Sequence, residues 1–119
     1  MRLAVCGGRT FGRVQEERDF VHGWIEKVLE GHDDNVIIQG GAPGADEWAV
    51  DWAIINNVKY VTFYADWKKY KRAAGPIRNQ QIIDEGVPDL LLAFPGNKGT
   101  ADMIRRARAA NIPVTIVTF

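Results

Sequence analysis

Leu90-Leu91-Leu92-Ala93-Phe94-Pro95-Gly96-Asn97-Lys98-Gly99-Thr100 decides the fold. Five consecutive apolar residues predict a strand covered on both faces. Pro95-Gly96 closes it, and small residues lead into a helix that Thr100 can cap and that ends near Asn111. The same strand–glycine–helix unit recurs upstream. Leu3–Cys6 is a short apolar strand closed by Gly7-Gly8, and Val36–Gln39 is one closed by Gly40-Gly41. Tyr60–Tyr64 and Val114–Thr118 read as the third and fifth strands. A helix from about Glu16 to Glu30 places Phe20, Val21, Trp24, Ile25, Val28 and Leu29 on one face, with Gly31 as its left-handed stop. A second, from about Ala45 to Asn56, buries Ala45, Trp48, Ala49, Trp52 and Ala53. A third, from about Pro76 to Glu85, has proline in its first turn and Gly86 at its end. The polar stretch from Ala65 to Gly75 reads as a long loop.

Short apolar strands separated by helices belong to the α/β class. Right-handed crossovers then predict a single doubly wound, Rossmann-like parallel sheet of five strands, order 3-2-1-4-5, with helices on both faces. At 119 residues, with no linker or repeat, residues 1–119 form one domain. Strands 1 and 4 flank the point where the strand order reverses. Ligands of such sheets bind there, beyond the carboxyl ends of the strands. The glycine-rich turns after strands 1, 2 and 4 all lie at that edge, whereas the opposite turns carry simple stop signals.

Composition narrows the function classes. The chain has 15 Lys+Arg, 15 Asp+Glu and one Cys. Zero net charge argues against bulk affinity for duplex nucleic acid. The charge is segregated, however: residues 1–66 carry 6 basic and 11 acidic side chains, and residues 67–119 carry 9 and 4. Lys68, Lys69, Lys71, Arg72 and Arg78 make one local basic stretch, which suits a small anionic ligand. One Cys forms no internal disulfide, and no Cys/His cluster offers a metal site, so neither a metal nor a cofactor is expected. With no apolar run of membrane-spanning length and no signal-peptide pattern, a soluble cytoplasmic protein with no membrane partner is expected.

The edge loops supply the candidate residues. Gly96-Asn97-Lys98-Gly99-Thr100 offers backbone N–H groups, a helix N-terminus, an ammonium and a hydroxyl to an anion. Gly40-Gly41-Ala42-Pro43-Gly44-Ala45-Asp46 repeats the arrangement. There Asp46 serves either the helix dipole or a ribose hydroxyl. Gly7-Gly8-Arg9-Thr10 brings a forked guanidinium beside the switch point. Trp67 or Tyr70 either stacks on a base or pins the loop to the body. Arg78, in a first helical turn beside Asn79, reaches phosphate or sugar. Cys6 reads as a core residue, and Trp48 and Trp52 as core or subunit interface. A homo-oligomer, dimer or higher, is expected.

These motifs resemble the YspA-like branch of the SLOG superfamily. They are Val5–Phe11, Gly40–Asp46, Ala65-Asp66-Trp67, Ala74–Asn79 and Phe94–Thr100, five in order along nearly the whole chain. That superfamily also holds the Smf/DprA proteins, the LOG phosphoribohydrolases and the sensor domain of TRPM channels. The resemblance implies a Rossmann-like fold and a site for nucleotides or nucleotide-derived ligands. LOG enzymes cleave the N-glycosidic bond of nucleoside 5′-monophosphates, and their motif reads Pro-Gly-Gly-x-Gly-Thr-x-x-Glu. Pro95, Gly96, Gly99 and Thr100 match it, Arg78 resembles the arginine of the preceding helix, Asn97 replaces the second glycine, and Met103 stands in the glutamate position.

Glycoside cleavage needs a carboxylate, and methionine supplies none. The leading expectation is therefore a module that senses or sequesters a nucleotide-derived small molecule. A LOG-like hydrolase using Asp46, Asp66 or Asp102 with Arg78 is the alternative, and single-stranded DNA binding comes third. A glutamate at position 103 would stand near the start of the helix, facing the same pocket.

Overall fold

A computed structural model describes residues 1–119. The strands are β1 (Arg2–Cys6), β2 (Val36–Gln39), β3 (Lys59–Thr62), β4 (Leu90–Ala93) and β5 (Val114–Ile116). They form one parallel sheet in the order β3-β2-β1-β4-β5. The doubly wound sheet expected from the alternating apolar runs is the one observed.

The helices α1 (Gln15–Leu29) and α2 (Ala45–Ile55) cover one face. Their apolar sides meet Leu3, Val5, Ile37, Leu92 and Phe94 in a core of 14 buried residues. Trp52 is part of this core, and Trp48 packs at its margin. The other face is covered by α4 (Ala74–Gln81), its π-helical extension Ile82–Gly86, and α5 (Lys98–Ala109). Ala4, Ile38 and Leu91 meet Ile82, Ile83, Met103 and Ala107 there. Successive strand residues point to opposite faces, so β1, β2 and β4 feed both cores. That requirement explains their continuous apolar runs.

Two local expectations change. Residues 67–75 are helical, not loop: α3 (Trp67–Tyr70) and a 3₁₀ turn (Lys71–Ala73) run directly into α4, which starts at Ala74. Asp66 nucleates this stretch, its carboxylate accepting the Lys69 amide at 3.1 Å as an N-cap. Thr100 does not cap the last helix, because α5 already begins at Lys98. Thr100 is inside the first turn and buried, and Asn97 occupies the cap position.

Candidate functional site

A cavity of about 980 Å³ opens at the carboxyl ends of the central strands, between the two helical layers. This lies within the range of small-molecule sites. The loop after β1 contributes Gly7, Gly8, Arg9 and Thr10. The loop after β2 contributes Gly40 and Ala42, and the start of α5 contributes Asn97, Lys98, Gly99 and Thr100. The loops are tied to one another. The Gly8 amide donates to the Pro95 carbonyl at 2.8 Å, joining the ends of β1 and β4. Gly44, at φ +88°, packs so closely on the Gly8 carbonyl that no Cβ fits. Gly96 is held equally tightly against the Gly8 amide and Thr100. Gly41, at φ +72°, donates its amide to Gln39 Oε1 at 2.6 Å. Of the predicted ligand residues, Gly41, Gly44, Pro95 and Gly96 therefore do not line the cavity. They shape the loops that do.

Five cations surround the cavity: Arg9, Arg72, Arg78, Lys98 and Arg105. Only two carboxylates, Asp46 and Asp102, stand among them. Arg72 belonged to the basic stretch visible in the sequence. Arg105 was missed, although its place three residues after Asp102 on the same helix was the available signal. Arg78 is half-buried. Its Nη1 donates to the Gly40 carbonyl at 2.7 Å and its Nε to Asn79 Oδ1 at 3.1 Å. Burial lowers its pKa, and the neighbouring Asp46 carboxylate opposes the shift.

Asp46 is buried in the first turn of α2. The loop after β2 curls back over it, so Oδ2 accepts the Gly40 amide at 3.1 Å and the Ala42 amide at 3.3 Å. Oδ1 makes no hydrogen bond with the protein, and Asp46 lines the cavity. Burial raises the carboxyl pKa to about 6, against the opposing pull of the two amides and Arg78. Cys6 stands on the same floor. Burial first, and the Asp46 charge second, push its thiol well above the ordinary value, which disfavours the reactive thiolate.

Asp102 has the opposite character. Arg106 Nε reaches its Oδ2 at 2.8 Å, Asn79 Nδ2 the same oxygen at 3.0 Å, and Arg105 Nη2 its Oδ1 at 3.2 Å. Burial raises its pKa, but the donors and charges of Arg106, Asn79 and Arg105 outweigh that and hold it below the ordinary value. Asn79, predicted as a ligand residue, is 6% exposed. Its amide is fully engaged, to Arg78, Asp102 and the Gly99 carbonyl at 3.3 Å. It lines the cavity as well.

Trp67 lines the mouth, with the Arg9 guanidinium 5.3 Å from its ring centroid. Asp66, the third candidate carboxylate, is exposed, caps α3 and does not line the cavity. Met103 touches the cavity but is 2% exposed and packs in the second core, so a glutamate there would sit among apolar side chains. No three His, Cys, Asp or Glu side chains are grouped to hold a metal, and no helix is long and apolar enough to cross a membrane.

The fold is shared with a crystallised protein, TM1055, a structural-genomics target. It superposes with a TM-score of 0.71 at 19% identity, over 94% of this chain and 71% of that one. The gene 61 protein of Mycobacterium phage D29 is 38% identical over 86 residues, spanning 66% of this chain and 68% of the phage protein. Residues 1–70, which contain β1, β2, the two glycine loops and Asp46, match the model of the YspA, cpYpsA-related SLOG family, and the chain belongs to that family.

Proposed function

We propose that this protein binds a small phosphorylated ligand of the nucleotide class at the carboxyl edge of its sheet, and so senses or sequesters it. One observation carries the reading: five cations and the N-terminus of α5 converge on one cavity of a protein whose net charge is zero. The ligand's phosphate fits among Lys98, Arg105 and the amides of Asn97–Thr100, and Arg78 adds the Nη2 donor left over by its bonds to Gly40 and Asn79. Thr10 and the Asp46 Oδ1 are available to sugar hydroxyls. Family membership supports the same ligand class. Calorimetric titration with nucleoside 5′-monophosphates, set against the corresponding nucleosides, tests this. Saturable binding that requires the phosphate is expected, and equal or absent binding of both series defeats the reading.

Asp46 favours a second reading. A carboxyl poised near pH 6, with a free oxygen in the cavity and an arginine beside it, is equipped for general acid–base work on a glycosidic bond. Chromatographic release of free base from a nucleoside monophosphate, abolished in Asp46→Asn, would establish it.

A further inference from the structure

Trp67 opens α3 and is 47% exposed, unusually wet for an indole beside a cavity it lines. Its orientation is fixed from below. The six-membered edge of the ring rests on Gly75, where an added Cβ would stand 3.3 Å from Cη2. What lies over the ring is less fixed. The Arg9 guanidinium comes from a different loop, the one after β1, and its Cζ stands 5.3 Å from the centroid. Arg9 is exposed and takes part in none of the protein's ion pairs, which join His22 to Asp51 and Asp102 to Arg105 and Arg106.

We infer that the face of Trp67 is a stacking subsite for a planar heteroaromatic base, and that Arg9 is its exchangeable cover. The inference rests on the nucleotide-binding reading and extends it to the ligand's base. An exposed cation–π contact is weaker than the stacking of a base on an aromatic ring. The displaced guanidinium moves to phosphate and gains a charge-assisted hydrogen bond in place of the ring. Both halves of the exchange therefore run downhill. Phosphate recruits Arg9 and base recruits Trp67, so a ligand carrying both groups engages both residues at once. A ligand with phosphate and no base draws Arg9 away and leaves the indole without a stacking partner.

The test titrates two probes, adenosine 5′-monophosphate and ribose 5-phosphate, into the whole protein and its variants. Trp67→Leu is expected to weaken the nucleotide about tenfold and ribose 5-phosphate less than twofold. Trp67→Phe, which keeps a ring, is expected to recover most of the nucleotide affinity. Indole emission supplies a second measurement, independent of how Trp67→Leu folds. The nucleotide, but not ribose 5-phosphate, is expected to quench the wild type, and the difference is expected to vanish in Trp67→Phe. Equal losses for both probes, or no difference in quenching, would overturn the subsite and leave nucleotide binding standing. Failure of the wild type to bind either probe would overturn the nucleotide reading, and the subsite with it.

Discussion

The side-chain amide of Asn79 donates to Asp102 Oδ2 at 3.0 Å while its own oxygen accepts from Arg78 at 3.1 Å. One buried side chain thus joins the cavity's central arginine to the carboxylate at the start of α5. Arg78 in turn holds the carbonyl of Gly40 at 2.7 Å, so the chain of contacts runs from α5 through α4 to the loop after β2.

Asn79→Ala is expected to remove three polar contacts from a buried site and to leave Arg78 Nε without its acceptor. A loss of about 1–3 kcal/mol in urea unfolding follows. The same variant is expected to weaken ligand binding only while Arg78 is present. In an Arg78→Ala background, adding Asn79→Ala should change affinity little, a coupling that a double-mutant cycle measures.

Arg78→Ala is expected to weaken nucleotide binding by about 1–3 kcal/mol, the range for a charge-assisted hydrogen bond, in calorimetric titration. The fold should survive, since Arg78 is only half-buried and its protein bonds go to one carbonyl and one side-chain oxygen. Arg78→Lys is expected to behave more like the alanine variant than like the wild type, because an ammonium cannot span Gly40 and Asn79 together.

Asp46 sets a pH limb of stability. Its carboxyl titrates near 6 in the folded protein and about 3.9 when unfolded. Between those values the native state holds a proton that the unfolded chain releases. The protonated group's contribution is fully present below about pH 4 and is lost as pH rises through 6, by up to about 3 kcal/mol. Asp46→Asn keeps an oxygen for the Gly40 and Ala42 amides and removes the titration. Urea midpoints taken from pH 4 to 7 should fall for the wild type and stay flatter for the variant. Asp102, held below its ordinary value, acts in the opposite sense: its contribution is lost as pH falls below about 4, outside that window.

Met103→Glu restores the carboxylate of the LOG pattern but puts it in a core formed with Ile82, Ile83, Leu91 and Ala107. Burying an unpaired charge is costly, and the variant is expected to lose several kcal/mol of stability or to keep its new carboxyl protonated at neutral pH. Thermal unfolding against Met103→Gln, equally long and uncharged, separates charge from shape.

The sheet order was legible because β1, β2 and β4 are covered on both faces, so that polar residues enter only at their ends, Arg2 and Gln39, and the apolar runs between stay unbroken. The cavity edge was legible because the turns after β1, β2 and β4 all carry glycine there, where the loops pack closely: Gly7 on Ala45, and Gly44 on Gly8. The inward turn of Asp46 was not legible. A first-turn carboxylate looks the same whether it faces solvent or accepts from its own preceding loop, and only the path of Gly40–Ala42 decides. Asp66 misled in the opposite way, since a cap and a catalytic acid are the same residue type. Residues 65–75 hid a helix because α3 is a single turn, too short to show a period. Asn79 lines the cavity as its place beside Arg78 suggested, but its bonds to Arg78, Asp102 and the Gly99 carbonyl depend on how α4 and α5 pack, which no local pattern reveals.

The cavity's five cations sit on a molecule whose charges sum to zero, and its acidic side chains are concentrated in the first 66 residues. Five cations against two carboxylates give the cavity a positive local field on an otherwise neutral molecule. In the proposed binding, an approaching phosphate feels that field within about 8 Å at physiological ionic strength. Added salt shortens that reach and slows arrival. In the proposed complex, departure breaks hydrogen bonds to Arg78 and the α5 amides, which mobile ions screen far less. Ionic strength is thus expected to act mainly on the rate at which ligand is captured, and only weakly on how long it stays.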